Sequence, residues 1–240
     1  MSGHSKWSTI KRKKGAKDAK RGAIFTRLGK DITLAARDGG GDISMNANLR
    51  LAVKKAKAAN MPNDNIDRAI KKGTGELGGQ KYESYLYEGY GPYGVALLIE
   101  VLSDNKNRTV PEIRHLLTKH NGNLGESGCV SWMFEKKGII IINKKDLKEE
   151  EFLEDLLELG IESYDEVDDG YELLASPEDF QNIIQSLEDK NYNLEGNISL
   201  VAINSVSVSS NKLDPILNLI NALEEHDDVQ KVHANISIDE

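Results

Sequence analysis

Across Gly78-Gly79-Gln80-Lys81 the chain changes its hydrophobic period, and that change divides it into units of different architecture. Before this point apolar residues recur at intervals of three and four, the spacing of helices; after it, short alternating runs are interleaved with amphipathic stretches. Residues 23–37 place Phe25, Leu28, Ile32 and Ala35 on one helical face, and Gly39-Gly40-Gly41 ends that helix, because glycine readily takes the left-handed conformation favoured there. Residues 47–59 turn Leu49, Ala52, Val53 and Ala56 inward and Arg50, Lys54 and Lys57 outward, and residues 63–72 bury Ile66, Ala69 and Ile70. The expectation is a three-helix domain over residues 1–81, with residues 1–22 a polar, lysine-rich extended tail.

The downstream pattern predicts a strand at 95–102, a helix at 110–120 and a strand at 129–134. A strand at 138–143, a helix at 147–159, strands at 161–167 and 171–175, a helix at 177–189 and a strand near 197–203 follow. That middle block reads β-α-β-β-α-β, the ferredoxin-like order. A strand at 206–208, a helix at 213–225 and a strand at 229–238 supply a further β-α-β, which joined to residues 95–134 makes a second six-element unit. The predicted fold class is therefore α+β: an N-terminal three-helix domain followed by two ferredoxin-like α/β domains, one inserted in the other. The host would comprise residues 82–135 and 205–240, and the insert residues 136–204.

Charge divides at the same place. Residues 1–81 hold 19 Lys+Arg against 7 Asp+Glu, whereas the remainder holds 12 against 32, so a net charge of −8 conceals two opposed bodies. Such asymmetry points to a polyanionic partner for the basic part. Cys129 is the only cysteine, which leaves no intrachain disulfide and suits a reducing compartment. Apolar runs such as 95–99 and 138–142 fall far short of the ~18 residues that cross a bilayer, and residues 1–14 lack the apolar core of a secretory signal. A cytoplasmic protein without membrane partners is expected.

Ten cations fall between residues 6 and 30, Lys6, Lys11, Arg12, Lys13, Lys14, Lys17, Lys20, Arg21, Arg27 and Lys30, offset by Asp18. They repel one another, and phosphate would relieve that repulsion with release of counterions. Trp7 can stack on a base or anchor the tail to its own domain. With Arg50, Lys54 and Lys57 of the second helix, these residues form the expected nucleic-acid surface. The acidic inserted domain offers alternative partners, either basic proteins or the chain's own tail.

Other motifs dissolve on inspection. Gly89-Tyr90-Gly91-Pro92-Tyr93-Gly94 spells G-x-G-x-x-G, but it leads into the alternating Val95, Leu97, Ile99 and Val101 of a strand rather than a phosphate-facing helix. Gly122-Asn123-Leu124-Gly125 matches the G-x-x-G of RNA-clamping KH loops, yet it also leads towards a strand. His115 and His120 sit five apart on one helix, and no H-E-x-x-H or C-x-x-C accompanies them, so neither metal nor cofactor is expected. No nucleophile–base motif stands out, and a non-enzymatic protein is the reading.

Several segments resemble the YebC/PmpR family of bacterial proteins. They include Gly3-His4-Ser5-Lys6-Trp7, Asn60-Met61-Pro62, Arg68-Ala69-Ile70-Lys71-Lys72, Glu88-Gly89-Tyr90-Gly91-Pro92, Asp104-Asn105-Lys106-Asn107-Arg108-Thr109, Gly122-Asn123-Leu124-Gly125, Gly128-Cys129-Val130 and Asp227-Asp228-Val229-Gln230. The resemblance implies three domains in the nested arrangement and no enzymatic activity. It implies either DNA-binding regulation of transcription or an RNA-binding, ribosome-associated translation factor that assists sequences such as consecutive prolines. Tyr93 departs from the family, where glycine is usual, as does the stretch 44–47, where proline is common.

Overall fold

A computed structural model describes residues 21–77, 82–144, 147, 149–167 and 170–238. The first unit is three helices, α1 (Arg21–Gly39), α2 (Ala47–Ala58) and α3 (Asn63–Gly73). Their shared core is Ile32, Ala36, Leu49, Ala52, Val53, Ala56, Met61, Ile66 and Ala69. The helical spacing selects all of these but Ala36 and Met61, and the other residues it selects, Phe25, Leu28, Ala35 and Ile70, are partly buried against them. Asn46 makes the corner between α1 and α2. Its side-chain oxygen accepts from Leu49 N at 3.0 Å while its amide nitrogen donates to Ala35 O and Gly40 O at 2.7 and 2.8 Å. One side chain thus satisfies the open start of one helix and the open end of another. Helices α1 and α3 approach so closely that a Cβ at Gly73 would lie 2.4 Å from Thr33 O.

The rest of the chain builds two four-stranded sheets. The host contributes β1 (Glu83–Tyr90), β2 (Ala96–Ser103), α4 (Lys106–Lys119) and β3 (Asn123–Leu124) before the insertion. The insert contributes β4 (Phe134–Asn143), α5 (Glu149–Glu158), β5 (Ser163–Val167), β6 (Gly170–Ala175), α6 (Phe180–Asp189) and β7 (Leu194–Ala202). The host resumes with β8 (Val206–Val208), α7 (Leu213–Glu224), β9 (Val229–Ala234) and β10 (Ile236–Ile238). In the insert the strand order is β5-β6-β4-β7, all antiparallel, the arrangement that β-α-β-β-α-β connectivity produces when both helices cover one face. Ile140, Ile142, Tyr171 and Leu173 meet Phe152, Leu156, Phe180, Ile183 and Leu187 there. Gly138 makes room for the Phe180 ring, which a Cβ would meet at 2.4 Å.

The host is α/β with the insert within it, but its elements differ from the expected second β-α-β-β-α-β set. Its sheet runs β3-β1-β2-β9, and β8 pairs in parallel with β10 in a separate ribbon. Strand β1 was missed because Glu83–Tyr90 does not alternate: Gly89 and Glu88 are both buried. The expected strand at 129–134 is instead a turn with one 3₁₀ turn at Ser131–Met133, and β4 begins at Phe134. Strand β2 is buried on both faces. Leu97, Ile99 and Val101 pack under α4 and α7, while Ala96 and Leu98 face Val130 and Phe134 beside Leu200 and Ala202 of the insert. Between β9 and β10 the ladder breaks at Asn235, whose side-chain oxygen accepts from Ala96 N at 2.7 Å.

Candidate nucleic-acid interface

On α2 the inward residues leave Arg50, Lys54 and Lys57 exposed, as expected. Spacings of four and three put them along one side of the helix, spanning about 10 Å. Among the described residues Lys54 and Lys57 have no carboxylate partner. Arg50 is held in place: its guanidinium donates to Ile43 O at 3.2 Å and Ser44 O at 2.9 Å. Asn48 lies two residues from Arg50, on the opposite side of the helix, so the pair cannot read one groove together.

Helix α3 adds cations that the sequence reading passed over. Arg68 and Lys72, one turn apart, line a cleft of about 410 Å³ with Phe25, Gly29, Asn65 and Tyr82. The Lys72 ammonium donates to the Tyr82 hydroxyl at 2.8 Å and lies 4.4 Å from its ring centroid. Among the described residues Arg68 has no carboxylate partner. The signal in the sequence is the spacing of four between Arg68 and Lys72, which sits beside the stronger apolar pattern of Ile66, Ala69 and Ile70.

The structure corrects one expected contact, Lys30, and shows another, Arg27, partly engaged inside the protein. Lys30 is 7% exposed, and its ammonium lies 2.7 Å from Asp228 Oδ1, donating also to Leu102 O at 3.2 Å and to Asp227 O. Arg27 donates to Glu224 O at 2.6 Å. Both extend from α1 into the host unit and hold the helical domain onto it; the buried Lys30 ammonium is closed off from phosphate, whereas the half-buried Arg27 commits one guanidinium nitrogen. The other oxygen of Asp228 accepts from Ser103 Oγ at 3.0 Å, Thr109 Oγ1 at 2.6 Å and Arg108 Nη2 at 2.6 Å. Burial alone would raise this carboxyl, but hydrogen bonds from Lys30, Thr109 and Arg108 outweigh it and hold the group far below the usual carboxylate range. Lys6, Trp7, Lys11, Arg12, Lys13, Lys14, Lys17 and Lys20 lie outside the described residues, as does the side chain of Arg21.

Comparison with known proteins accounts for the chain in two parts. Residues 5–76 match the TACO1/YebC protein N-terminal domain, and residues 82–236 match the TACO1/YebC second and third domain. The chain belongs to the TACO1/YebC family. A relative in Desulfotalea psychrophila, named a probable transcriptional regulatory protein, is 54% identical over 242 residues, covering 100% of this chain and 97% of its own. A Geobacter sulfurreducens protein of the same description is 52% identical, covering 99% and 96%. A conserved hypothetical protein of Aquifex aeolicus has a crystal structure that superposes with a TM-score of 0.81 at 44% identity, covering 93% of each chain.

The segments that carry the TACO1/YebC resemblance assemble two internal junctions. Asp104–Thr109 and Asp227-Asp228 build the Lys30 clamp just described. Glu88, Gly122–Gly125 and Gly128–Val130 build the second: Glu88 Oε1 accepts from Gly128 N at 2.7 Å, and Oε2 accepts from Val130 N at 2.7 Å and Ser131 N at 2.8 Å. Burial opposes ionisation of Glu88, but the three amides prevail and lower its pKa. A Cβ at Gly89 would lie 2.5 Å from Asn123 O and one at Gly122 2.6 Å from Tyr90 O, so one glycine of each motif serves close backbone packing, while Gly94 takes a positive φ of 77° in the turn. The first motif joins antiparallel β1 and β2 through a tight turn in which Gly91 N donates to Val95 O at 2.8 Å. The second begins β3. Neither has the strand-to-helix geometry that cradles phosphate.

Proposed function

We propose that this TACO1/YebC protein is a non-enzymatic regulator of gene expression that binds nucleic acid through its helical domain, gripping the phosphate backbone rather than reading bases. The observation that carries this reading is the set of cations on α2 and α3, Lys54, Lys57 and Arg68 with Lys72 beside them on the Tyr82 ring, that have no carboxylate partner among the described residues, on a domain whose carboxylates are few. The names of its relatives support a transcriptional regulatory role, for which DNA would be the nucleic acid bound. Lysine holds phosphate without sequence information, and the one arginine on α2 is turned back onto Ile43 and Ser44 carbonyls. That favours recognition by shape, and with it the second reading, a ribosome-associated factor bound to structured RNA.

Ultraviolet crosslinking in cells followed by sequencing of the recovered nucleic acid separates the two. Promoter DNA supports transcriptional regulation, and ribosomal RNA supports the translational role. Recovery of neither, with no affinity of the purified protein for duplex or single-stranded probes at low salt, refutes both.

A further inference from the structure

Helix α5 carries more apolar surface than its core uses. Phe152 and Leu156 point into the sheet, fully buried or nearly so. Leu153 and Leu157 form a second apolar stripe, displaced by a quarter-turn or so around the helix, and Leu157 is 86% exposed. After α5, Gly160 takes a positive φ of 67°, a conformation that glycine adopts without strain. The chain thereby doubles back into edge strand β5, where Tyr164 is 50% exposed. Between the two elements lies a groove of about 550 Å³, walled by Leu153, Leu157, Ile161 and Tyr164 and rimmed by Glu154 and Glu162.

The rim belongs to the most acidic part of the molecule. Residues 136–204 contain 6 Lys and no Arg against 18 Asp+Glu, a net charge of −12. Three of those lysines are committed: Lys137 to Glu162 at 2.6 Å, Lys144 to Glu166, and Lys190 to Asp155. Among the described residues, Glu154 on the rim and Glu158, one turn further along the same side of α5, have no cationic partner. Such a field repels nucleic acid and draws cationic groups. A small apolar groove inside a charged rim has the shape and chemistry that an amphipathic segment of the opposite charge can fill.

We propose that the groove between α5 and β5 docks a lysine- or arginine-rich segment of a partner protein, which inserts apolar side chains beside Leu157 and Tyr164 while its cations meet Glu154 and Glu158. The pattern of paired leucines with intervening cations on an amphipathic helix fits it best. This surface is separate from the proposed nucleic-acid face and does not depend on it. Proteins that themselves sit on nucleic acid commonly carry such segments, so the two oppositely charged bodies would let one chain hold both components of a nucleoprotein particle.

The test uses the full-length protein and a labelled synthetic helix with leucines at i and i+4 and lysines elsewhere. A peptide of identical composition, with the leucines dispersed around the helix, is the control, and fluorescence anisotropy is the readout. The patterned peptide is expected to bind about tenfold more tightly than the control, and Leu157→Ser to remove about that factor, the loss of one buried leucine contact. Leu157 is exposed enough that the variant keeps its circular dichroism spectrum. Glu154→Gln with Glu158→Gln is expected to flatten the salt dependence. Equal affinity for both peptides, or no effect of Leu157→Ser, overturns the proposal. So does tighter peptide binding when Lys11, Arg12, Lys13 and Lys14 are replaced by alanine, which assigns the groove to the chain's own tail. Self-association lost in Leu157→Ser assigns it to a second copy and overturns the proposal equally.

Discussion

Replacing Asp228 by asparagine tests whether the helical domain is clamped to the host by a buried charge. The substitution keeps the shape and leaves the Lys30 ammonium, 7% exposed, facing carbonyl oxygens of Leu102 and Asp227 without a counter-charge. Breaking a buried pair from one side costs about 3–5 kcal/mol. Two retained carbonyl acceptors place Lys30 at the lower end of that range. Arg108 adds little, because it is 45% exposed and keeps Asp104 at 3.2 Å, a surface pair worth about 0–1 kcal/mol. The expected loss is therefore about 3 kcal/mol, or roughly 6–12 °C in the first thermal transition of a chain this size. Urea unfolding followed by the fluorescence of the intact protein measures it. Combining Asp228→Asn with Lys30→Met removes the stranded cation and should recover stability relative to Asp228→Asn alone. The pH dependence has a definite sign. Because the folded-state carboxyl is held low, its contribution is fully present above the unfolded value, about 4, and fades as pH falls below that value. A loss under about 1 kcal/mol at neutral pH, or a double variant less stable than the single, refutes the argument.

Glu88→Gln should cost about 2 kcal/mol or more in urea unfolding, because the buried side chain would turn an amide NH₂ towards backbone N–H groups that now bind carboxylate oxygens. The pH response of the β2–β9 region should follow Glu100, whose pKa is lowered first by its hydrogen bond from His233 and then by charge from His233, Lys231 and Lys136 against opposing burial. That contribution is present above pH about 4 and is lost as pH falls, which hydrogen exchange of β9 amides can follow. The ring nitrogens of His233 lie 3.0 Å from Leu200 O and 2.6 Å from Glu100 Oε1, so nitrogen NMR at neutral pH should find a proton on each. Lys54→Ala with Lys57→Ala should make the slope of log affinity against log salt shallower by about 1.8 on duplex DNA, at about 0.9 per phosphate contact. Lys30→Met should leave that slope unchanged while lowering stability; a slope that moves with Lys30 returns this residue to the binding surface.

The helical domain and the insert could be read from the chain because each is built from local periods. Leu49, Ala52, Val53 and Ala56 declare a face, and so do Phe152 and Leu156 between alternating strands. Strand β1 could not be read, since its burial comes from partners on two sides: Glu88 is inside because the amides of Gly128, Val130 and Ser131 converge on it. Lys30 failed for a similar reason. Within the first 30 residues it is one cation among ten, and only the fold brings Asp228 to it from 198 residues away. Charge counting identified the basic body correctly but could not separate cations that face solvent from those spent on internal junctions.

The insertion leaves and rejoins its host at one point. Phe134 pairs with Ala202 across β4 and β7, and Ile203 N donates to Met133 O at 2.8 Å. Once the insert has folded, the intervening stretch behaves towards the host as a tight hairpin would. The closure entropy of so long a loop, about 4 kcal/mol on a (3/2)RT ln n scale, is then borne by the insert's own core. Strand β9, which must find β2 across that gap, meets it as a near neighbour. Folding of the host should accordingly wait on the insert, and mutations that loosen the Phe152–Phe180 core should slow host assembly without touching a host residue.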